Sequence, residues 1–258
     1  MASQFSITNT GTFDVLAGST ISGKSFTASP IPPTGVVTSN LLLHLDAANA
    51  TSYPGSGTTW FDLSGNGNNF TLINSPTFVS NGNASAFDFT RTSFHHATST
   101  GSINLQRDFT LEIWLNFDDV SVVTGFWGQG VASSNQAIAI YARDLNASTD
   151  TVKFTMYNND METGAISNVT GVWSHLTFTY SNTSPSYTKQ IYRNGALAAS
   201  AAGNQYLGSG VLRVGAPYGA LNQEMMEGKI AVARAYSKIL SAAEVLQNYN
   251  AEKSRYGL

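Results

Sequence analysis

Apolar and polar residues alternate along most of this chain with the period of two that marks a strand with one buried face. Phe109, Leu111, Ile113, Leu115 and Phe117 interleave with Thr110, Glu112, Trp114 and Asn116. Leu41-Leu-Leu-His-Leu45 reads as a short buried run, and Gln136–Tyr141, Val152–Tyr157, Trp173–Tyr180 and Lys189–Arg193 carry similar strand signatures. Asn194-Gly195 follows the last of these and supplies the two left-handed residues of a type I′ hairpin. Lys229–Tyr236 is another strand, with Ile230, Val232 and Tyr236 assigned to one face and Ala231, Ala233 and Ala235 to the other. Strands at this spacing without helical crossovers predict a sandwich.

One helix is signalled, close to the end of the chain. Ser241-Ala-Ala-Glu244 has the form of a capping box, and Leu240 with Val245 brackets it as a hydrophobic staple. The helix is expected to plug one end of the sandwich. Residues 1–37 differ from the rest. Short apolar stretches sit among Ser, Thr and Gly, and Pro30-Ile-Pro32-Pro33-Thr-Gly35 forms a stiff extended linker. The predicted organisation is an N-terminal arm and linker over 1–37 and a sandwich domain over 38–258.

Composition sharpens this picture. The 258 residues carry a formal net charge of -3, and only 11% are charged, against about 25% in ordinary domains. Ser, Thr, Asn and Gly take their place, which suits many turns and not a helical bundle. The weak acidity argues against a nucleic-acid binder, which needs a basic stripe. No apolar run reaches the ~18 residues of a membrane span. With no cysteine, thiolate metal sites and thiol nucleophiles are excluded. The opening Met1-Ala-Ser-Gln-Phe5 lacks the basic start and apolar core of a secretory signal.

Motifs for catalysis are poor. Gly18–Ser25 has the spacing of a phosphate-binding loop, but Pro30, Pro32 and Pro33 forbid the helix such a loop must feed. Asp160-Met-Glu162 is the one closely spaced acidic pair, and its neighbours Asn158-Asn159 and Thr163-Gly164 make it read as a turn. His44 and His175 sit inside strands, and adjacent His95 and His96 point to opposite faces, so no shared metal is expected. No enzyme is predicted. The loop Trp60–Asn69 offers Asp62, Asn66 and Asn68 as oxygen donors on a glycine-bent backbone, the donor type a calcium ion takes. Four rings in or near loops, Tyr53, Trp60, Trp127 and Tyr218, are candidates to stack on sugars.

Several segments together resemble the laminin-G-like branch of the concanavalin A-like lectin/glucanase superfamily. They are Leu41–Asp46 with Trp60–Asn68, Phe109–Trp114, Trp173–Tyr180 with Ile191–Gly195, and Gly228–Tyr236 with Leu240–Glu244. The ending Glu244–Leu258, paired with Tyr53-Pro-Gly55, is similar to a form found in tailed-phage virion proteins. The resemblance implies an all-β, two-sheet antiparallel jelly-roll sandwich with one short C-terminal helix, often carbohydrate-facing and sometimes calcium-bound. No cofactor is required, and Ca2+ is the one ion it suggests.

The function expected from these readings is that of a virion surface structural protein, a capsid decoration or head fibre, displaying a lectin-like domain. Its partners would be capsid or tail proteins, with Phe5, Ile7, Phe13, Val15 and Leu16 of the extended N-terminal arm as assembly anchors. The alternative is a tail-fibre or receptor-binding adhesin for host-surface glycan, with a glycoside hydrolase as the third and least favoured reading. Either location is the virion surface, with synthesis in the host cytoplasm, no nucleic-acid partner and no membrane insertion. Assembly as a homo-oligomer is compatible with both.

Overall fold

The computed structural model describes residues 20–21, 24–25, 35–146, 149–167, 169–219 and 224–258. The chain divides into two compact units, Met1–Pro33 and Thr34–Leu258. In the first, β1 (Thr20–Ile21) and β2 (Lys24–Ser25) pair antiparallel, so the Gly18–Ser25 segment contains a two-stranded ladder. The five apolar residues read as assembly anchors lie outside the described residues. Val37 belongs to the second unit: it is buried, and its N–H donates to Asn248 Oδ1 at 2.7 Å.

The second unit runs in chain order through β3 (Leu41–Asp46), β4 (Thr59–Trp60), β5 (Phe70–Ile73), β6 (Thr77–Val79), β7 (Ala86–Phe89), β8 (His96–Ser102) and β9 (Phe109–Phe117). It continues through β10 (Thr124–Gly130), β11 (Ala137–Asn146), β12 (Thr149–Thr155), β13 (Asp160–Glu162), β14 (Ile166–Ser167), β15 (Ser174–Ser181) and β16 (Thr188–Arg193). The last elements are β17 (Ala196–Ala202), β18 (Val211–Val214), β19 (Gly228–Tyr236) and helix α1 (Ala242–Glu252). One sheet has the order β13-β12-β11-β10-β18-β8-β5-β4, with β14 also on β12. The other has the order β17-β16-β15-β9-β19-β7-β6, with β3 also on β19. All named strand pairs are antiparallel, and the two sheets enclose one apolar core, giving the expected all-β jelly-roll sandwich. No helix among the described residues is long and apolar enough to cross a membrane.

Local signals form as their chemistry dictates. Asn194 and Gly195 both take positive φ, 51° and 80°, and join β16 to β17. Ser241 Oγ accepts from the Glu244 amide while Glu244 Oε2 accepts from the Ser241 amide, so both halves of the capping box are made. Leu240 and Val245 are both fully buried beside it.

The helix does not plug an end of the sandwich. It covers the outer face of the β9–β19 sheet, and this changes two strand assignments. Strand β9 is buried on both faces, with Leu111, Ile113 and Leu115 in the core and Glu112 and Trp114 sealed under the helix. In β19 a bulge between Ile230 and Val232 shifts the alternation. Ile230, Ala233 and Ala235 therefore face the core, while Ala231, Val232 and Tyr236 join the clusters on the helix side.

A buried polar network holds helix to sheet. Arg234 Nη1 donates to Glu112 Oε1 at 2.7 Å and to Glu252 Oε2 at 2.9 Å, and Nη2 donates to Glu252 Oε1 at 2.5 Å. Asn248 Nδ2 donates to Glu112 Oε2 and Trp114 Nε1 to Glu252 Oε2. Arg255 pairs with Asp46 through Nη1 and Nη2, which donate to Oδ2 and Oδ1. Burial opposes ionisation of Glu112, but His175, Arg234 and Asn248 outweigh it and hold the carboxyl below its ordinary range. For Glu252, burial is outweighed chiefly by Arg234. Buried charges of this kind persist because each is paired and hydrogen-bonded.

Candidate functional site

Strands β11, β12 and β13 build a polar, solvent-facing surface on the other sheet. Ile138, Ile140 and Ala142, Val152, Phe154 and Met156, and Met161 all turn into the core. Period two then sends Tyr141, Arg143, Lys153, Thr155, Asp160 and Glu162 outward. The register places Tyr141 opposite Lys153 and Lys153 opposite Glu162, so the three form one cross-strand row.

Two further tyrosines flank this row. Tyr157 sits in the turn between β12 and β13 with φ 54°, followed by Asn158 at φ 60°. Buried Lys189 holds this turn, its Nζ donating to Asn159 O at 2.6 Å and to Phe154 O at 3.3 Å. Burial pulls its ammonium down to about 8. Tyr218 arrives on a segment that crosses β10, and glycines make room for it. A Cβ at Gly128 would lie 2.2 Å from the Pro217 carbonyl carbon and 2.5 Å from the Tyr218 nitrogen. The Tyr157 and Tyr218 rings meet edge to face, with centroids 5.7 Å apart at 81°.

The three tyrosines are half-buried, and charged groups surround them. Burial raises the Tyr141 phenol, and Tyr218, Glu224, Asp160 and Glu162 raise it further. Tyr218 is raised by burial first and then by Tyr157, Glu224 and Asp160. Lys153 Nζ lies 2.6 Å from Asp160 Oδ2 and 3.8 Å from Glu162 Oε1. Arg143 Nη2 donates to both Glu162 oxygens at 3.2 and 3.0 Å. Burial pushes the Asp160 carboxyl up, but hydrogen bonds from Lys153 and Thr155 outweigh it, and the group is held below its ordinary value. Asp160 and Glu162 thus share one face of a strand and not a turn, with a lysine between them.

Of the four predicted sugar-stacking rings, only Tyr218 reaches this surface. Trp60 and Trp127 are fully buried and Tyr53 is 7% exposed, all three in the main core. Tyr53 and Trp60 pack on Phe87, with centroids 4.7 and 4.8 Å away. Glycine-rich flanks made these rings look like loop residues, whereas Phe87 on distant β7 draws them inside. Tyr141 and Tyr157 were missed. The available signal was Tyr141 standing out of phase with Ile138 and Ile140.

The loop carrying Asp62, Asn66 and Asn68 does not fit a calcium ion. Asp62 Oδ1 accepts from the His44 and Ser64 amides, and Oδ2 accepts from Ser64 Oγ and the Asn68 amide. The carboxylate's four lone-pair positions are thereby taken. Asn66 and Asn68 turn their Nδ2 groups to strand β3, donating to Leu41 O and Leu42 O. The loop is a clasp on that strand. Among the described residues, no group of three or more His, Asp or Glu side chains is arranged to hold a metal.

Solved structures share the architecture. Domain 4 of AbnA, an extracellular GH43 arabinanase from Geobacillus stearothermophilus solved with arabinotriose, matches at TM-score 0.59 and 16% identity, over 81% of this chain and 98% of that one. A Trypanosoma rangeli sialidase matches at TM-score 0.61 and 15% identity, over 88% of this chain but 36% of its own. The receptor-binding domain of botulinum neurotoxin type G matches at TM-score 0.58 and 16% identity, over 83% of this chain and 52% of its own. At these identities the likeness is one of fold. No curated protein matches the chain. Residues 90–246, more than half of the chain, match the Laminin_G_3 model, and the protein belongs to this family of the concanavalin A-like lectin/glucanases superfamily.

Proposed function

We propose that this chain is a non-catalytic carbohydrate-binding display module, with its β11–β13 face as the sugar-contacting surface. The observation that carries this is the set of three half-buried tyrosines, Tyr141, Tyr157 and Tyr218, beside outward carboxylates on a lectin-superfamily sandwich. Aromatic rings offer an apolar surface for a pyranose or furanose face, and carboxylate oxygens accept its hydroxyls. The arabinanase domain of the same fold, solved with a trisaccharide, lends support. Against hydrolysis stands the electrostatics of the acidic pair. A general acid is tuned toward the working pH, whereas Asp160 is held low and Lys153 sits beside it. Replacing Tyr141 and Tyr218 by Ala is expected to remove glycan-array binding while the far-ultraviolet spectrum stays unchanged. Retained binding overturns this assignment.

The module's proposed place is the surface of a virion, as a capsid decoration or head fibre attached to other virion proteins through its N-terminal unit. The similarity of Tyr53-Pro-Gly55 and Glu244–Leu258 to tailed-phage virion proteins supports this location, as does the division of the chain at Pro33. Deleting residues 1–33 should leave the sandwich folded and abolish incorporation into particles. Normal incorporation of that truncation refutes the attachment role.

A further inference from the structure

Resting on the reading of the tyrosine face as the sugar surface, we propose that this face selects neutral glycans, because Asp160 and Glu162 occupy the two cations that an acidic sugar would need. Recognition of a sialic acid, a uronate or a sulfated sugar calls for an available cation, best of all an arginine fork on the carboxylate or sulfate. Two cations lie on this face, Lys153 in the cross-strand row and Arg143 beside it on β11. Arg143 gives one nitrogen to both oxygens of Glu162, at 3.2 and 3.0 Å. Lys153 stands between the carboxylates, 2.6 Å from Asp160 and 3.8 Å from Glu162. Thr155 Oγ1 also donates to Asp160, fixing it beside the lysine.

Within these pairs two cations answer two carboxylates, and buried Lys189 adds a further positive charge behind Asp160. An anionic ligand would have to displace Asp160 or Glu162 from its cation and then face the repulsion of the other carboxylate. A neutral saccharide meets no such barrier. Its hydroxyls donate to carboxylate lone pairs left over from the ion pairs, and its apolar face lies against the tyrosines. The selectivity comes from charge pairing across β11, β12 and β13, which sequence spacing alone does not reveal.

The test uses the full chain and two ligand sets, neutral arabino-, gluco- and galacto-oligosaccharides and acidic sialylated, uronate and sulfated ones, measured by glycan array and calorimetry. The wild type should bind a neutral member at least about tenfold more tightly than its acidic counterparts. That affinity should change by less than about twofold between roughly 50 and 500 mM salt, since no net charge pairing is involved. The double substitution Asp160→Asn, Glu162→Gln releases Arg143 and Lys153. It should raise affinity for acidic ligands by about tenfold, and that gain should fade with salt. Wild-type preference for acidic ligands, or strong salt dependence of the neutral affinity, overturns the selectivity while leaving the sugar surface standing. Binding of neither set overturns both. Neutral binding unaffected by Tyr141→Ala with Tyr218→Ala removes the surface on which the proposal rests.

Discussion

Acid should loosen the helix from the sheet through one imidazole. His44 Nε2 accepts from Arg234 Nη2 at 3.1 Å, a bond that only the neutral ring makes. Burial, reinforced by the Arg234 charge, pulls His44 from 6.5 down to about 4, against opposing pulls from Glu252, Asp46 and Glu112. The unfolded chain therefore takes up its proton near pH 6.5 and the folded chain only near pH 4. Within that window the unfolded state binds more protons, so stability falls as pH falls and levels off below it. At about 1.4 kcal/mol per pH unit the full effect is roughly 3 kcal/mol, of which about 2 kcal/mol is lost between about pH 7 and pH 5. Asp46, Glu112 and Glu252 are all held below their ordinary values, so their contributions disappear only at lower pH. His96 is also lowered by burial and titrates in the same direction. The measurement is therefore a difference: urea unfolding at about pH 7 and pH 5 for the wild type and for His44→Gln, whose amide oxygen can still accept from Arg234. The wild type should lose about 2 kcal/mol more than the variant over this step. Equal losses would falsify the assignment of the acid sensitivity to His44.

Three other outcomes follow from the geometry. Arg234→Met leaves Glu112 and Glu252 buried without their shared cation, and chemical denaturation should register a loss of about 3–5 kcal/mol. Gly128→Ala puts a methyl group 2.2 Å from the Pro217 carbonyl carbon. The Pro217–Tyr218 segment must lift, and calorimetric titration should show oligosaccharide affinity reduced about tenfold in a folded protein that has lost about 1–3 kcal/mol of stability. Because Asp62 is already saturated by protein donors, adding calcium or a chelator should move the thermal midpoint by less than about 1 °C, and a larger rise with calcium contradicts the clasp reading.

The features legible in the amino-acid order are those settled within a few residues. The alternation through Phe109–Phe117 identified β9, Asn194-Gly195 marked the β16–β17 hairpin, and Ser241 with Glu244 marked the helix start. In each case the main chain and adjacent side chains supply all the partners. The family likeness was legible too, since it depends on the order of such local segments. Assignments that depended on a partner far along the chain fared differently. Trp60 and Trp127 sat among glycines and polar residues, and nothing nearby showed that β7 and the opposing sheet would enclose them. Glu112 had the spacing of a solvent-facing position, and nothing beside Arg234 in the chain named the two carboxylates it would meet.

Period two states which residues of a strand share a face, but not what covers that face. A capping box states where a helix begins, but not which sheet it seals. The order of residues thus determined strands β3, β9, β11, β12, β15, β16 and β19, the β16–β17 turn, the helix start and the family. Burial of the indoles, closure of helix α1 over Arg234, and the meeting of Tyr141, Tyr157 and Tyr218 beside paired charges came from folding. The reason is physical: main-chain dihedral and capping preferences act over a few residues, whereas desolvation and charge pairing depend on whichever surface the distant chain brings into contact.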